Sequence, residues 1–201
     1  MTNHPERVDM PSGMPDRSEG NPADCFDRAF SLVDDRLSRV VDRDWSCLAG
    51  TLDWSCWQTA DHLVDCIFSY ALQLSARSED GFLPFAELHA LPDATNNDLL
   101  KGLRGVGRLF SAVLRTTPEG TYAGDGLLQL NASDWAQRGT YELLVHAYDI
   151  MSGLGEAFQP SLDLCEWLLD SQSLWMLDKN RALQADNRWS ALLLASGRPA
   201  T

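Results

Sequence analysis

The sequence predicts an all-α protein built as a bundle of four long helices. In four long segments, apolar side chains recur at intervals of three and four residues, the period of an amphipathic helix. No segment alternates polar and apolar residues for long enough to indicate a strand. Long connections separate the four segments, and metal or cofactor sites in helical bundles form between facing helices.

The first helix follows an N-terminal segment that is poor in large aliphatic residues. Residues 1–23 contain four of the nine prolines, and such a segment cannot bury enough apolar surface to offset its ordering entropy. We therefore expect a disordered tail over residues 1–23 and one folded domain over residues 24–201. The apolar period begins at Ala23 and predicts a first helix that ends near Asp44.

The second and third helices are separated by a long connection. Ser55 is a suitable N-cap for a second helix that covers residues 55–77. The third helix is expected over residues 97–116. The connection between them, residues 78–96, has a length that is often functional, so we expect it to act as a lid or a substrate wall.

The fourth helix begins after a cap among residues 131–134 and ends before Gly155. Ser161 then caps a further helix whose apolar content continues to Trp175. A last short helix covers residues 188–195, and a Gly and a Pro follow it as ordinary stop signals.

Composition and charge exclude several classes of function. The chain has 16 Lys and Arg against 29 Asp and Glu, a formal net charge of −13. This balance argues against nucleic acid and anionic lipid as partners, because both attract basic surfaces. The five cysteines are odd in number and include no CxxC pair, which indicates reduced thiols. With neither a signal peptide nor an apolar run of about 18 residues, we expect a cytoplasmic protein.

A polar stripe on the fourth helix is the first candidate for chemistry. Glu142 and His146 are four residues apart, so their side chains lie one turn apart on the same face. Asp149 follows three residues later, and Arg138 precedes Glu142 by four. The remaining faces of this helix are apolar, so a polar group on it requires a partner.

A second interior histidine lies on the second helix. If this helix packs beside the fourth, His62 converges with Glu142 and His146. Two histidines and a glutamate are a ligand set of catalytic zinc, and also of non-haem iron. A simpler interpretation is an ordinary Glu142–His146 hydrogen bond with His62 as a partnered core histidine, the commoner outcome for so short a motif. The coincidence of both interior histidines on the two most apolar helices supports the metal site.

Neighbouring residues allow further roles. Cys66, one turn from His62, could be a nucleophile or a fourth ligand, but its apolar neighbours favour a buried structural cysteine. Asp149 is a candidate partner for a ligand histidine or a candidate catalytic base, and an exposed position remains open. We expect Asp61 and Asp65 to face water. Six tryptophans are expected in the core first, although any of them could line a pocket: Trp54, Trp57, Trp135, Trp167, Trp175 and Trp189.

Three segments resemble one known family. They are LDWSCWQTADHL at 52–63, ELLVHAYDIMSGLG at 142–155 and WSALLLASGRP at 189–199. Together they resemble the DinB-like superfamily, most closely the branch of the N-terminal domains of mycothiol-dependent maleylpyruvate isomerases. The resemblance extends over nearly the whole chain after the tail.

The resemblance implies a four-helix up-down-down-up bundle with extra short C-terminal helices. It implies a divalent metal, zinc in the first place and nickel as an alternative, held by His62, Glu142 and His146. In this family the open coordination position takes a low-molecular-weight thiol such as mycothiol. The isomerases have a second domain that supplies an arginine, and no match for that arginine is assignable here. The resemblance therefore implies a thiol-dependent transferase that acts on a small electrophile, and homodimers are common in the superfamily.

Two other functions stay open on the sequence. The chain could be a non-catalytic metal-binding or interaction protein that keeps the bundle and its ligands. It could also be a metal-dependent hydrolase in which Asp149 serves as the general base.

Overall fold

Seven helices and one two-stranded sheet make up the computed structural model, which describes residues 21–85 and 87–199. The expectation of a mostly helical protein is confirmed. No helix in these ranges combines the length and apolar content needed to cross a membrane. In chain order the elements are α1 (Pro22–Arg39), α2 (Cys56–Ala76), α3 (Asn96–Thr116), β1 (Ala123–Gly124), β2 (Gln129–Leu130), α4 (Ala132–Gly153), α5 (Leu162–Leu169), α6 (Lys179–Ala182) and α7 (Arg188–Ala195).

Capping boxes define where three of the long helices begin. The cap residues are Ser55 for α2, Thr95 for α3 and Asn131 for α4. The side chain of each accepts a hydrogen bond from the backbone N–H of the third residue of its helix. The side chain of that third residue in turn accepts a bond from the backbone N–H of the cap residue. These reciprocal bonds satisfy donors that a helix start leaves unpaired. The predicted cap at Ser55 is confirmed, and the predicted starts of α3 and α4 lie within a few residues of the observed ones.

Helix α1 differs from its prediction at both ends. It begins at Pro22, because Asn21 accepts a hydrogen bond from Ala23 N and proline is favoured in the first turn. The predicted tail therefore overlaps the helix at its last residues, and the rest of it, residues 1–20, lies outside the described residues. The helix ends at Arg39, and the next turn is held by the indole of Trp45, which donates to Val40 O at 3.0 Å.

The smallest elements were not expected from the sequence. Helix α5 ends at Leu169, so Trp175 lies outside it and is 58% exposed. Helix α6 and the β1–β2 hairpin are also absent from the sequence prediction. Elements of two to four residues are too short to show a hydrophobic period.

The packing places α2 against α4, the two helices that carry the candidate ligands. Helix α1 packs on α3 and α4, while α2 packs on α3 and α4 from the other side. Phe26 of α1 and Phe110 of α3 form an edge-to-face pair in the core, with ring centroids 4.9 Å apart. Helices α1 and α2 make most of the contacts with α4 and α5 makes a few more, and α4 is buried along nearly its whole length.

Candidate metal centre

Helices α2 and α4 bring the three candidate ligands together. Each of His62, Glu142 and His146 offers one ligand atom, and these atoms all lie within 4.8 Å of one another. The two imidazole rings are perpendicular, with centroids 5.1 Å apart. Nε2 of His146 lies 3.2 Å from Oε2 of Glu142. Residues that are eighty positions apart in the chain thus form one polar cluster between two apolar helices.

This donor set fits a divalent cation. Two ligand atoms that each lie about 2.1 Å from a tetrahedral zinc are about 3.4 Å apart. The His146–Glu142 separation of 3.2 Å is already close to that value. The remaining distances, up to 4.8 Å, require only small movements of side chains. Two imidazole nitrogens and one carboxylate oxygen leave a coordination position for a further ligand.

The cluster opens into a pocket with a volume of about 460 Å³. Its walls combine apolar and charged side chains from the loop before α2, from α4 and from the C-terminal segments. The lining residues are Leu52, Asp53, Trp54, His62, Tyr141, Glu142, His146, Met176 and Arg198. A pocket of this size is within the range of small-molecule sites.

Asp149, which lies behind the pocket, and Arg198, which lines it, hold His146 in place. Asp149 is fully buried, and its Oδ2 lies 3.1 Å from Nδ1 of His146. Arg198 donates to both oxygens of this carboxylate, from Nη2 at 2.8 Å and from Nε at 3.2 Å. A carboxylate at Nδ1 favours a proton on that nitrogen, which leaves Nε2 free to bind a metal. Of the two candidate roles of Asp149, the geometry supports the partner of a ligand histidine.

The charges in the cluster follow from burial and from the contacts between its members. Burial opposes ionisation of Glu142, but its hydrogen bond to His146, the charges of the two histidines and the hydrogen bond from Tyr70 together outweigh burial and lower the pKa of the carboxyl. Burial also disfavours the His146 imidazolium, yet hydrogen bonds to Asp149 and Glu142 raise its pKa to about 8. Burial and the neighbouring His146 lower the pKa of His62. Without a metal, His146 is therefore largely protonated at neutral pH beside the ionised Glu142, and a bound cation would take the place of that proton.

Tyr70 is a site residue that the sequence reasoning missed. Its hydroxyl donates to Oε1 of Glu142 at 3.3 Å, which leaves Oε2 facing His146. Burial raises the pKa of Tyr70 well above its usual value, so the phenol stays a neutral donor. The available signal was its position on α2, eight residues after His62 and therefore on the same helix face.

Cys66 contacts His62 but lies outside the three-residue cluster. Its Sγ is 3.3 Å from Nε2 of His62. Burial raises the pKa of the Cys66 thiol, which keeps it protonated at neutral pH in the absence of a metal and argues against an activated nucleophile. Cys66 is partly buried, and its structural role stays a prediction.

We expect Cys66→Ser to leave the metal content of the protein unchanged, because the three ligands are intact and serine is nearly isosteric. Elemental analysis of the purified variant and the wild type measures this directly. A loss of metal in Cys66→Ser would show that this thiol is a fourth ligand.

Arg138 does not join the stripe that the sequence predicted. It donates to Asp125 from Nη2 and to the carbonyl of Ser173, and its guanidinium lies 5.5 Å from the ring centroid of Trp135. The buried Asp125–Arg138 ion pair thereby joins α4 to the β1–β2 hairpin. Arg138 therefore belongs to the scaffold, while Glu142, His146 and Asp149 form the polar part of α4 at the pocket.

The expectation that Asp61 faces water is wrong. Asp61 is only 7% exposed, and its carboxylate accepts hydrogen bonds from Ala90 N at 2.8 Å and from the His89 ring at 2.8 Å. Asp65, half-buried, accepts a bond from Leu88 N. These bonds hold the connection 78–96 against α2.

None of the described residues of the connection 78–96 lines the pocket, so the structure does not support it as a wall of this site.

Two of the six tryptophans expected in the core are exposed. Trp54 is 44% exposed and lines the pocket, with its ring centroid 5.0 Å from that of His62. Trp175 is exposed as well. Trp135 and Trp189 are buried as expected, whereas the remaining two are partly buried: Trp57 and Trp167. Trp54 is therefore a candidate ligand-contacting residue.

We expect Arg198→Gln to weaken metal binding by about tenfold, because it frees Asp149 from the interaction that orients it toward His146. Competition with a metal-binding chromophore measures the affinity. Arg188→Gln is the matched control, since Arg188 forms an exposed ion pair with Glu166 away from the pocket. Equal affinities in all three proteins would show that Arg198 does not position His146.

Comparison with known proteins gives no relative for this site. No protein-family model matches the chain, and neither a curated protein nor a solved structure matches it.

Proposed function

We propose that this protein is a divalent-metal enzyme of the DinB-like class, with an up-down-down-up arrangement of its four long helices. His62, Glu142 and His146 would hold the ion, zinc in the first place and nickel as the alternative. The observation that carries the proposal is the convergence of these three ligand atoms within 4.8 Å at a pocket. The resemblance of the α2, α4 and C-terminal segments to that class supports it.

The proposed reaction is the transfer of a low-molecular-weight thiol, such as mycothiol, to a small electrophile. A divalent cation at this site would favour the thiolate of a bound thiol at neutral pH. The chain's own residues contribute orientation and exclusion of water. Leu52, Trp54 and Met176 offer apolar surface for the electrophile beside the ligands, and holding two reactants together accelerates their reaction.

Hydrolysis with Asp149 as the general base is less well supported. The Asp149 carboxylate is fully buried, does not line the pocket and is engaged by His146 and Arg198. A general base must come within hydrogen-bond reach of the proton that it removes. This carboxylate is therefore better suited to orient His146 than to act on water.

The test of the proposal is a thiol-dependent rate. Zinc-loaded protein is mixed with monochlorobimane, a small electrophile that fluoresces after thiol addition, with and without mycothiol. We expect the wild type to accelerate the reaction of mycothiol with monochlorobimane above its spontaneous rate. We expect no acceleration when mycothiol is left out, and none with the His146→Ala variant. Thiol-independent hydrolysis of ester substrates would indicate a hydrolase. A protein that binds metal but is silent in both assays would be a non-catalytic metal-binding protein.

A further inference from the structure

A pair of thiols, Cys47 and Cys56, lies at the base of the loop that precedes α2. The two sulfur atoms are 3.7 Å apart. Cys47 is half-buried, whereas Cys56, the first residue of α2, is fully buried. Both sulfurs also contact the end of α4, Cys47 at Gly153 O and Cys56 at Ile150 O, each at 3.6 Å.

The backbone around this pair has the geometry that a disulfide requires. Leu48 and Ser55 form an antiparallel bridge, and Cys56 N donates to Cys47 O at 2.9 Å, so the two cysteines are opposed in the next position. Opposed residues that are hydrogen-bonded in antiparallel pairs have Cα atoms about 5.5 Å apart. Disulfides usually span Cα distances of about 4.4 to 6.8 Å. The usual Cα spacing of such opposed residues is therefore compatible with a disulfide.

We propose that Cys47 and Cys56 form a reversible intramolecular disulfide when the protein meets a hydroperoxide. This site is separate from the proposed metal centre and does not depend on the proposed function. A reducing compartment would keep the pair as thiols, so the bond would respond to oxidants rather than serve as a permanent staple.

The two thiols have different parts in this reaction. Half-buried Cys47 meets the hydroperoxide: its sulfur attacks one peroxide oxygen, the O–O bond breaks, and Cys47 becomes a sulfenic acid as water or an alcohol leaves. The Cys56 sulfur then attacks the Cys47 sulfur, the S–O bond breaks, and the hydroxyl leaves as water with the Cys56 proton. Two thiols and one hydroperoxide thus give one disulfide and its reduced products. Cys56 is fully buried, so the peroxide meets half-buried Cys47 first and Cys56 takes the second, resolving position.

The bond would fix the loop that forms one wall of the pocket. Leu52, Asp53 and Trp54 lie between the two cysteines in sequence and line the pocket. In the thiol form, two backbone bonds inside the loop hold it: Ala49 N donates to Trp54 O at 2.8 Å, and Leu52 N donates to Ala49 O at 3.0 Å. A covalent link at the base of the loop restricts its opening. We therefore expect slower amide hydrogen exchange over residues 48–55 in the oxidised protein.

The experiment treats the full chain with hydrogen peroxide and then counts thiols and maps peptides. No Lys or Arg lies between the two cysteines, so chymotrypsin, which cleaves after Leu and Trp in the loop, is used to separate them. We expect the wild type to lose two of its five thiols, to give a linked Cys47–Cys56 peptide, and to recover both thiols with dithiothreitol. Cys47→Ser should give no link, whereas the matched control Cys25→Ser should form it as the wild type does.

One result would overturn the proposed disulfide, and another would overturn its proposed effect on the pocket wall. The first is stepwise oxidation of Cys47 to sulfinic acid without any linked peptide, at peroxide levels that oxidise a reference dithiol. The second is a linked peptide whose formation leaves exchange over residues 48–55 unchanged. The Cys47→Ser variant is used because Cys47 is only half-buried, so this substitution disturbs folding less than one at the buried Cys56.

Discussion

Replacing His146 with alanine is expected to remove the bound divalent ion from the purified protein, which in the wild type should hold about one ion per chain. The variant loses one of three ligands and also the group that pairs with both Glu142 and Asp149. Glu142 and His62 alone would bind the ion more weakly than the three ligands together, so chelating solutes would remove it during purification. Elemental analysis after gel filtration gives the metal content of both proteins.

The matched control for this variant is His89→Ala. His89 has a half-exposed side chain on the connection 78–96, where it contacts Asp61 and Glu87 away from the pocket. We expect His89→Ala to keep the full metal content, and circular dichroism of both variants checks that the helices remain. Equal metal content in His146→Ala and the wild type would eliminate the proposed centre, and with it the proposed enzyme.

The three candidate ligands could be found in the sequence because helical geometry is local. A spacing of four residues places Glu142 and His146 on one face of α4, whatever surrounds the helix. The position of His62 opposite them followed from the assumption that two strongly apolar helices pack together. The structure brings these three residues within reach of one ion.

Of the two residues that position His146, only one could be predicted from the sequence. Asp149 was recognisable, since it follows His146 by three residues, but Arg198 lies 49 residues further along the chain, after α7. Its approach to Asp149 depends on how the C-terminal segments fold back on α4. No local pattern reports such a contact, and the same limitation applies to Arg138, whose partner Asp125 is in the hairpin.

The contact between α4 and the loop before α2, which forms a wall of the pocket, could not be predicted from the sequence either. A break in the apolar period identified a connection after the first helix, but not that it rests on the C-terminal end of α4. That contact depends on Gly153, where a Cβ atom would lie 2.2 Å from Leu48 O and 3.0 Å from Ala49 Cα. The absence of a side chain at Gly153 lets the loop approach and places Trp54 beside His62.

Gly153→Ala is therefore expected to destabilise the protein by about 3 kcal/mol, the upper part of the usual range for overpacking. The two nearest atoms belong to the backbone of the loop, so no flexible side chain can move aside to make room. The loop itself must shift, and the wall that contains Leu52 and Trp54 shifts with it. Urea denaturation measures the loss of stability, and metal affinity measures the effect on the adjacent site.

Gly105→Ala provides the matched control, with the opposite sign. Gly105 lies inside α3, and a Cβ atom there would meet nothing within 4 Å. Alanine is favoured over glycine in a helix interior by about 1 kcal/mol, so this variant should be more stable than the wild type. The two substitutions are chemically identical, and they separate helix propensity from steric overlap. If Gly153→Ala were as stable as Gly105→Ala, the loop would not rest on α4 at this glycine, and the placement of Trp54 beside His62 would need another cause.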